Sequence, residues 1–236
     1  MNRFEPPQCH NCSSRHNSLL RCCSGADLEL ISLGKTCQQY NSGQIIFREG
    51  SRSLGLYCVH EGKIKVTKTG GDGKEQIIRL ARSGDVLGYR GLVTDTLHSA
   101  SAVALDDCIV CLVSKQHFFQ QLKTNAQFSE FLLQLLGKAL HEAEERMLHL
   151  AYKPVRERLA EALLLLMRTY RTDDDDLHPF TLSISRDDLG ALMGTTKETT
   201  TRMLSEFKRE GMLTTRGSAI TVLAPVRLVE IATLYD

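Results

Sequence analysis

The sequence has no apolar run near the ~20 residues that cross a bilayer, and its first residues, MNRFEPPQCH, contain no apolar signal core. We therefore expect a cytoplasmic protein without a membrane partner. The sequence also has no nucleophile elbow, phosphate loop or paired catalytic carboxylates, which argues against an enzyme. Its formal net charge is only +1, so any contact with nucleic acid must come from a local arrangement of charge.

Eight cysteines are spread over the 236 residues. Stable disulfides are not expected in a cytoplasmic protein, so clustered thiols point to metal binding, redox chemistry or packing. The segment 9–23, CHNCSSRHNSLLRCC, is rich in them and predicts either a metal-free thiol switch or a small zinc site. The candidate zinc ligands are Cys9, Cys12, His16 and either Cys22 or Cys23. Three cysteines farther along the chain are interpreted as small core residues: Cys37, Cys58 and Cys108.

From about Gln38 to Val113 the sequence has short β-type runs separated by glycines. The predicted strands are Gln44–Phe47, Gly55–Val59, Lys63–Thr69, Gln76–Leu80, Ser99–Ala104 and Cys108–Val113. Several short strands with regular turn signals predict a sandwich or barrel. The segment Gly70–Gly73, GGDG, predicts a hairpin turn because its residues tolerate positive φ. A short amphipathic helix is predicted earlier, around Ala26–Leu33.

A helical pattern follows the strands. Its apolar residues alternate in spacings of three and four, as the a and d positions of a coiled coil do: Leu133, Leu136, Leu140, Ala143, Met147 and Leu150. One interpretation is a helix packed on its own domain, but the strict alternation favours a seam between two copies in a parallel homodimer. Pro154 is suited to begin the next helix, Val155–Tyr170. The aspartate-rich segment Arg171–Pro179 is interpreted as a solvated loop rather than a metal site.

Residues 185–210, SRDDLGALMGTTKETTTRMLSEFKRE, predict a helix-turn-helix. Ser185 is a good N-cap for the first helix. Gly194 supplies the sharp turn that lets the two helices meet at a wide angle. Thr195 or Thr196 then caps the second helix. The predicted buried side of that helix comprises Met203, Leu204 and Phe207.

The exposed side of the second helix carries side chains suited to base edges. The candidate DNA contacts are Ser185, Arg186, Thr196, Lys197, Glu198, Thr201 and Arg202. An arginine can bond guanine O6 and N7 together, and a glutamate can accept from cytosine N4. The alternative is an ordinary surface helix, with Glu198 and Arg202 paired four residues apart and a capping box from Thr195. The segment Gly211–Val222 favours DNA binding, because it predicts two short strands around a turn, the wing of a winged helix.

Over about residues 20–235 the chain resembles the Crp/Fnr regulators, and it is nearer their Fnr branch than the cyclic-AMP receptors. The matching segments are GKEQI at 73–77, SGDVLGY at 83–89 and SRDDLGALMGTTKETTTRML at 185–204. The resemblance implies an α+β protein with an N-terminal jelly-roll-like β-roll, a long dimerisation helix and a C-terminal winged helix-turn-helix. It implies that the residues at the places of Glu198 and Arg202 read a half-site. It also implies RNA polymerase as a partner.

The resemblance allows two kinds of sensor to be compared with this sequence. The cyclic-AMP receptors use a glutamate for the ribose and an arginine–serine pair for the phosphate. Here those places hold Tyr89, and His98 beside Ser99, so the fixed cation is missing and cyclic AMP is not expected to bind. Arg90 can supply a cation to a different anion. The predicted effector pocket comprises Gly88, Tyr89, Arg90, His98 and Ser99.

The Fnr branch instead binds an iron–sulfur cluster through three N-terminal cysteines and one in the β-roll. Four thiolates are what a [4Fe–4S] cluster needs. The candidate ligands that the resemblance supplies are Cys9, Cys12, Cys22 or Cys23, and Cys111 in the segment ALDDCIVCL. The gap from Cys12 to Cys22 is longer than in the best-known members. A cluster, a zinc ion and metal-free thiols remain open as alternatives.

Together these observations predict a DNA-binding transcriptional regulator that binds a near-palindromic operator as a homodimer. An effector or redox signal in its N-terminal part is expected to gate it. The predicted boundaries are 1–25 for the cysteine-rich leader, 26–124 for the sensor domain, 125–152 for the dimerisation helix and 153–236 for the DNA-binding domain. The alternative is a zinc- or thiol-dependent protein whose winged helix serves protein interaction.

Overall fold

The computed structural model describes residues 5–171 and 178–233. The chain divides into two compact units. One comprises Met1–Lys68 and Ile78–Leu140, and the other comprises Thr69–Ile77 and His141–Asp236. No helix within the described ranges is both long enough and apolar enough to cross a membrane. Most of the aspartate-rich loop predicted at Arg171–Pro179 lies outside the described residues.

The N-terminal half contains eight strands in two four-stranded sheets. The strands are β1 Lys35–Tyr40, β2 Ile45–Phe47, β3 Gly55–Glu61, β4 Ile64–Thr69, β5 Glu75–Ala81, β6 Val86–Leu87, β7 Ser101–Ala104 and β8 Cys108–Ser114. One sheet has the order β1-β8-β3-β6 and the other β2-β7-β4-β5. This arrangement confirms the predicted β-roll. Every predicted strand forms, with ends shifted by up to two residues.

The two sheets pack on each other through their buried side chains, and β7 and β8 show most clearly the alternation of buried and less buried positions that a packed strand has. A cluster that includes Phe47, Val59 and Ile64 fills the space between them. The predicted hairpin joins β4 to β5, and Gly73 adopts φ +78° there, a conformation that glycine tolerates better than other residues. The turn closes through two hydrogen bonds: the Gly70 backbone N–H donates to the Lys74 carbonyl oxygen, and the Gly73 N–H donates to the Gly70 carbonyl oxygen.

The leader and three helices cover one end of the β-roll. Two short 3₁₀ turns, Ser13–Asn17 and Leu19–Cys22, precede α1 at Gly25–Gly34, which begins with a capping box from Ser24. Two further helices, α2 at Tyr89–Val93 and α3 at Lys115–Thr124, were not predicted from the sequence. Strands β1 and β6 were not predicted either, because β1 is largely polar and β6 has only two residues.

The second unit contains the predicted winged helix-turn-helix. Its elements are β9 Phe180–Ser183, α6 Arg186–Met193, α7 Lys197–Arg209, β10 Leu213–Arg216, β11 Ala219–Val222 and α8 Pro225–Ala232. The three strands form a sheet of order β10-β11-β9. The long helix α4 spans Ala126–Tyr152 and therefore belongs to the first unit up to Leu140 and to the second from His141 onward. The helix α5 follows at Val155–Tyr170, directly after Pro154. The α+β fold class is therefore confirmed.

Candidate functional sites

The turn between α6 and α7 is built from local capping interactions. The Ser185 hydroxyl accepts a hydrogen bond from the Asp188 backbone N–H at 2.9 Å, which begins α6. Gly194 ends that helix with φ +65°, as the left-handed C-cap position favours. The Thr196 hydroxyl accepts from the Thr199 backbone N–H at 3.3 Å. Of the two threonines suggested by the sequence, Thr196 is therefore the N-cap of α7.

Gly190 allows α6 and α7 to approach each other, a role that was not predicted from the sequence. A Cβ atom at this position would lie 2.9 Å from the Thr195 carbonyl oxygen and 3.1 Å from the Thr200 hydroxyl. Thr200 itself is fully buried. The sequence does contain an indication of this role. A glycine on the apolar side of a predicted helix, such as Gly190, often marks a position where another segment of backbone approaches closely.

The predicted polar residues of α7 lie on one exposed side of the helix. Thr196, Lys197, Glu198, Thr201 and Arg202 are all exposed. The buried side carries Leu204 and Phe207, as predicted, with Met203 half-buried. This division leaves the N-terminal half of α7 accessible, which is the part that a recognition helix places in a major groove.

The ion pair between Glu198 and Arg202, which belonged to the alternative of an ordinary surface helix, does not form within the described residues. Lys197 Nζ instead lies 2.7 Å from Asp187 Oδ2 on α6. Hydrogen bonds from its own backbone N–H and from the Thr196 hydroxyl lower the pKa of Glu198, because they stabilise the charged carboxylate. The sequence did not predict that hydrogen bonds at the start of α7 would engage Glu198. Because Glu198 is engaged there, the guanidinium of Arg202 is available for an external acceptor.

Arg186 has an internal role in this structure. Its Nη2 donates to the Gly217 carbonyl oxygen at 3.1 Å, so it ties the start of α6 to the turn between β10 and β11. Burial lowers the pKa of its guanidinium, and the side chain is only half exposed. Arg186 therefore positions the wing, whereas Arg216 at the end of β10 is exposed.

The residues of the predicted effector pocket differ in their exposure. His98 is only 4% exposed, and its ring stacks on Phe47 with the centroids 4.0 Å apart. Tyr89 is also buried, while Arg90 and Ser99 are exposed. Burial lowers the pKa of His98. The place where the cyclic-AMP receptors hold an arginine is therefore occupied by a buried imidazole.

Replacing His98 by phenylalanine is expected to make the protein less sensitive to acid. The pKa of His98 is below its usual 6.5 in the folded protein, so below that pH the unfolded chain binds a proton that the folded chain does not. The free energy of unfolding therefore falls as the pH is lowered. Urea unfolding near pH 7 and about pH 5 should show a smaller loss for H98F than for the parent protein.

The exposed histidine variant His16→Phe is the control and should retain the parent's acid loss. An acid loss in H98F equal to that of the parent protein would contradict the assignment to His98.

A small cavity brings several of the cysteines together in the first unit. Its volume is about 30 Å³, and its lining includes Cys9, Cys12, Cys58, Cys111 and His60. The Cys12 sulfur lies 3.2 Å from His60 Nδ1. This volume is large enough for a water molecule. Thiols are the chemical type of ligand that a thiophilic metal or an iron–sulfur cluster needs.

The structure contains a disulfide between Cys37 and Cys111, contrary to the expectation that stable disulfides would be absent. The bond joins β1 to β8, where these two residues lie directly opposite each other with their Cα atoms 4.0 Å apart. The interpretation of Cys37 as a simple core residue is therefore wrong. Cys111 can be a metal ligand only after this bond is reduced.

The other two predicted leader ligands do not line the cavity. The Cys22 thiol donates to the Leu19 carbonyl oxygen at 3.3 Å, and Cys23 is buried with its sulfur 3.8 Å from Gln121 Oε1. Burial raises the pKa of Cys23 to about 12, and burial likewise raises the pKa of Cys58 to about 12. His16 is exposed. In the described ranges, no three side chains of metal-binding type are grouped to hold an ion.

The apolar stripe predicted on the long helix is exposed along α4. Leu133, Leu140 and Met147 are 69%, 61% and 65% exposed. Leu136 and Leu150 are half-buried, and Ala143 is exposed. Three large apolar side chains that are exposed at intervals of seven are typical of a helix that pairs with another helix.

Comparison with known proteins gives two family matches. Residues 37–125 match the cyclic nucleotide-binding domain and residues 157–231 match the Crp-like helix-turn-helix domain. The cyclic AMP receptor protein of Thermus thermophilus is 30% identical over 193 residues, which cover 82% of this chain and 86% of that protein. The transcriptional activator Anr of Pseudomonas protegens is 26% identical over 204 residues, covering 86% and 82% of the two chains.

Solved structures agree with these matches. FixK2 of Bradyrhizobium japonicum is 28% identical, with a TM-score of 0.72 over 84% of this chain and 96% of that chain. The regulator TTHA1359 of Thermus thermophilus has the same fold, with a TM-score of 0.72 over 85% of this chain and all of that one, at 24% identity. With the helix-turn-helix and the β-roll described above, these similarities establish that the chain belongs to the Crp/Fnr family of DNA-binding transcription regulators.

Proposed function

We propose that the protein binds a specific, near-palindromic DNA site as a homodimer and that a redox signal in its N-terminal unit gates this binding. The observation that carries the proposal is the exposed N-terminal half of α7. It presents Arg202 without an internal partner among the described residues, together with Lys197, Glu198 and Thr201. These side chains provide both donors and acceptors for base edges in a major groove.

Dimer formation would place two copies of α7 on one DNA duplex. The exposed stripe of Leu133, Leu140 and Met147 supports pairing through α4, because burial of three large apolar side chains in each copy stabilises association. A dimer with twofold symmetry matches two inverted half-sites about one helical turn apart. Binding of both half-sites by linked subunits raises the overall affinity well above that of one subunit.

The wing and its support fit the same role. Arg186 holds the wing turn through the Gly217 carbonyl, and Arg216 is exposed beside it. Arg158 of α5 donates to the Met193 carbonyl at 2.7 Å, at the end of α6. These contacts join the helix-turn-helix to α5 and to the wing. Exposed cations on that surface supply the local attraction for phosphates that the net charge of +1 lacks.

The cysteines favour a sensor that responds to the redox state of thiols. Four of them line one cavity, whereas the predicted effector pocket holds a buried imidazole where a phosphate would need a cation. The chain is similar to two regulators, the transcriptional activator protein Anr and a protein called the fumarate and nitrate reduction regulatory protein. A thiol-bound metal centre or cluster in the N-terminal unit is therefore part of the proposal, and cyclic AMP is not. RNA polymerase is the expected partner on the DNA.

Replacing Arg202 by alanine tests the proposed recognition helix. The loss of a bidentate contact to guanine should weaken binding to the preferred site by about 1–3 kcal/mol and relax discrimination at one base pair. Fluorescence anisotropy with a set of duplexes, each changed at one position, measures both quantities at a fixed salt concentration.

The matched control is Arg209→Ala, which removes an exposed arginine from the other end of the same helix. It should leave base discrimination unchanged. Equal affinity and equal discrimination in R202A and in the parent protein would refute the role of α7 in reading DNA.

A further inference from the structure

An ion pair joins the starts of the two helices of the helix-turn-helix. Asp187 lies in the first turn of α6, and Lys197 is the first residue of α7. The ammonium of Lys197 donates a hydrogen bond of 2.7 Å to Oδ2 of Asp187. This hydrogen bond and the negative charge of Asp187 raise the pKa of Lys197. The cation at the start of the proposed recognition helix is therefore engaged by the preceding helix.

The positions of the two residues explain why they pair. The N-terminus of a helix carries partial positive charge from its unpaired N–H groups, which favours an anion and disfavours a cation. Asp187 is close to the N-terminus of α6, whereas Lys197 is at the N-terminus of α7. The carboxylate is therefore stabilised where it lies, and it offsets the unfavourable placement of the lysine.

The charged neighbours of Asp187 on α6 have partners of their own. The Asp188 carboxylate accepts a hydrogen bond from the Ser185 hydroxyl at 2.9 Å. The Arg186 guanidinium donates to the Gly217 carbonyl oxygen at 3.1 Å. These bonds hold both neighbours in place, so the carboxylate of Asp187 is the group of this turn that the lysine of α7 engages.

The pair lies at the helix starts that would approach DNA. In a helix-turn-helix complex the first helix crosses the phosphate backbone, and the N-terminal half of the second enters the major groove. The side chains of Lys197 and Asp187 are 55% and 67% exposed. If the lysine left for the DNA, the carboxylate would remain unpaired beside phosphates. Both like-charge contact and an unpaired desolvated charge are unfavourable at an interface, so the pair should stay closed on DNA.

We propose that Asp187 is a positioning residue that holds the Lys197 ammonium away from DNA, so that Glu198, Thr201 and Arg202 read each half-site without it. The proposal rests on the DNA binding through α7 proposed above and narrows the set of residues that read bases. Contacts to phosphates add affinity without distinguishing sequences. Neutralisation of one cation on this surface therefore makes binding depend more on the contacts to bases.

Replacing Asp187 by asparagine in the full-length protein tests the proposal. Asparagine keeps the shape of the side chain without its charge, and the cap of α6 depends on Ser185 instead. Release of the lysine should raise the affinity for the preferred duplex roughly 10-fold. It should also steepen the fall of log K with log salt concentration by about 0.9 per subunit, the value for one added phosphate contact. Fluorescence anisotropy at a series of salt concentrations measures both quantities.

Methionine variants show whether the lysine is responsible for these effects. Lys197→Met alone should weaken binding equally for all duplexes, because it leaves Asp187 unpaired near phosphates but removes no contact to a base. In the D187N background, K197M should abolish the added affinity and the added salt dependence. The matched control is Lys208→Met, which removes an exposed lysine from the other end of α7 and should leave the effect of D187N in place. Glu230→Gln on α8 removes the same negative charge as D187N from another exposed site and should leave the salt dependence unchanged.

Duplexes that are each changed at one position show where the released ammonium goes. A new preference of D187N for guanine at one base pair, lost in D187N/K197M, would place it at a base edge. A steeper salt dependence without a new preference would place it at a phosphate. Both results support the proposal. In the DNA-free protein, NMR titration should give Lys197 a lower pKa in D187N than in the parent protein, and circular dichroism checks that the variant is folded.

Three results would overturn the proposal. They are a D187N variant with the affinity, salt dependence and base preferences of the parent protein, added affinity that persists in D187N/K197M, and loss of discrimination at one base pair in K197M alone. R202A is measured in the same assay. If R202A loses discrimination as expected while one of these results is obtained, the role of Asp187 is rejected and the proposed DNA-binding function stands. If R202A keeps full affinity and discrimination, the proposed function itself fails.

Discussion

Replacing Leu140 and Met147 together by glutamate should convert the protein to a monomer and weaken its binding to a two-half-site operator by roughly 10²–10⁴-fold. Both side chains are more than half exposed on α4 and lie seven residues apart. In a paired helix, two charges at these positions in each copy would be desolvated without partners. Sedimentation equilibrium measures the mass, and anisotropy measures the affinity for full and half operators.

The matched control is His141→Glu, which adds the same carboxylate one residue farther along the helix. One residue corresponds to a rotation of about 100° away from the stripe, and His141 is exposed. This variant should remain dimeric with unchanged operator affinity. A parent protein that is itself monomeric, or a double variant that stays dimeric, would contradict pairing through α4.

Replacing Phe207 by alanine should destabilise the winged helix-turn-helix by about 3–5 kcal/mol. The ring is completely buried on the inner side of α7, and the Arg156 guanidinium lies 4.9 Å from its centroid. Removal of the ring leaves a cavity that the surrounding helices can fill only in part. Hydrogen exchange of the α6 and α7 amides reports the local free energy of opening, even if the two units unfold separately.

Phe207→Leu should cost much less than the alanine variant, because it keeps most of the buried volume. DNA affinity of F207A at a low temperature, where the unit is still folded, should change less than that of R202A. If the alanine variant exchanged its amides as slowly as the parent protein, the packing account of α7 would be wrong.

The elements governed by local interactions were predictable from the sequence. Ser185 and Gly194 mark the ends of α6 by capping chemistry, and the buried side of α7 follows from helical spacing. Pro154 predicts the start of α5 for the same reason. The choice between Thr195 and Thr196 as N-cap depended on the path of the turn. That path depends on Gly190, whose role is apparent only when both helices are in place.

The cysteine site depended on contacts that are distant in sequence. The row formed by Cys37, Cys111 and Cys58 requires β8 to lie between β1 and β3, an order that spacing along the chain does not reveal. The sequence identified Cys9, Cys12 and Cys111 as partners through the family resemblance. It assigned Cys37 to the core, because a small buried thiol and one that forms a disulfide look alike in a strand; Cys58 does pack against the core, as predicted. Only the register of β1 against β8 shows that Cys37 lies opposite Cys111.

The recognition surface was predicted in position but not in detail. Lys197, Glu198, Thr201 and Arg202 are exposed together as expected. The ion pair expected between Glu198 and Arg202 is absent from the described part of the chain, since hydrogen bonds at the start of α7 engage Glu198. Competition of this kind between a helix end and a neighbouring side chain is decided by geometry rather than by spacing.

Selection of DNA sites from a random duplex pool tests the central claim most directly. The reduced full-length protein is used to enrich bound duplexes, which are then sequenced. A homodimer that reads DNA through α7 should enrich two inverted half-sites with centres about 10 base pairs apart, and R202A should lose the preference at one position in each half. Enrichment of no common sequence, or of a single half-site without symmetry, would contradict the account.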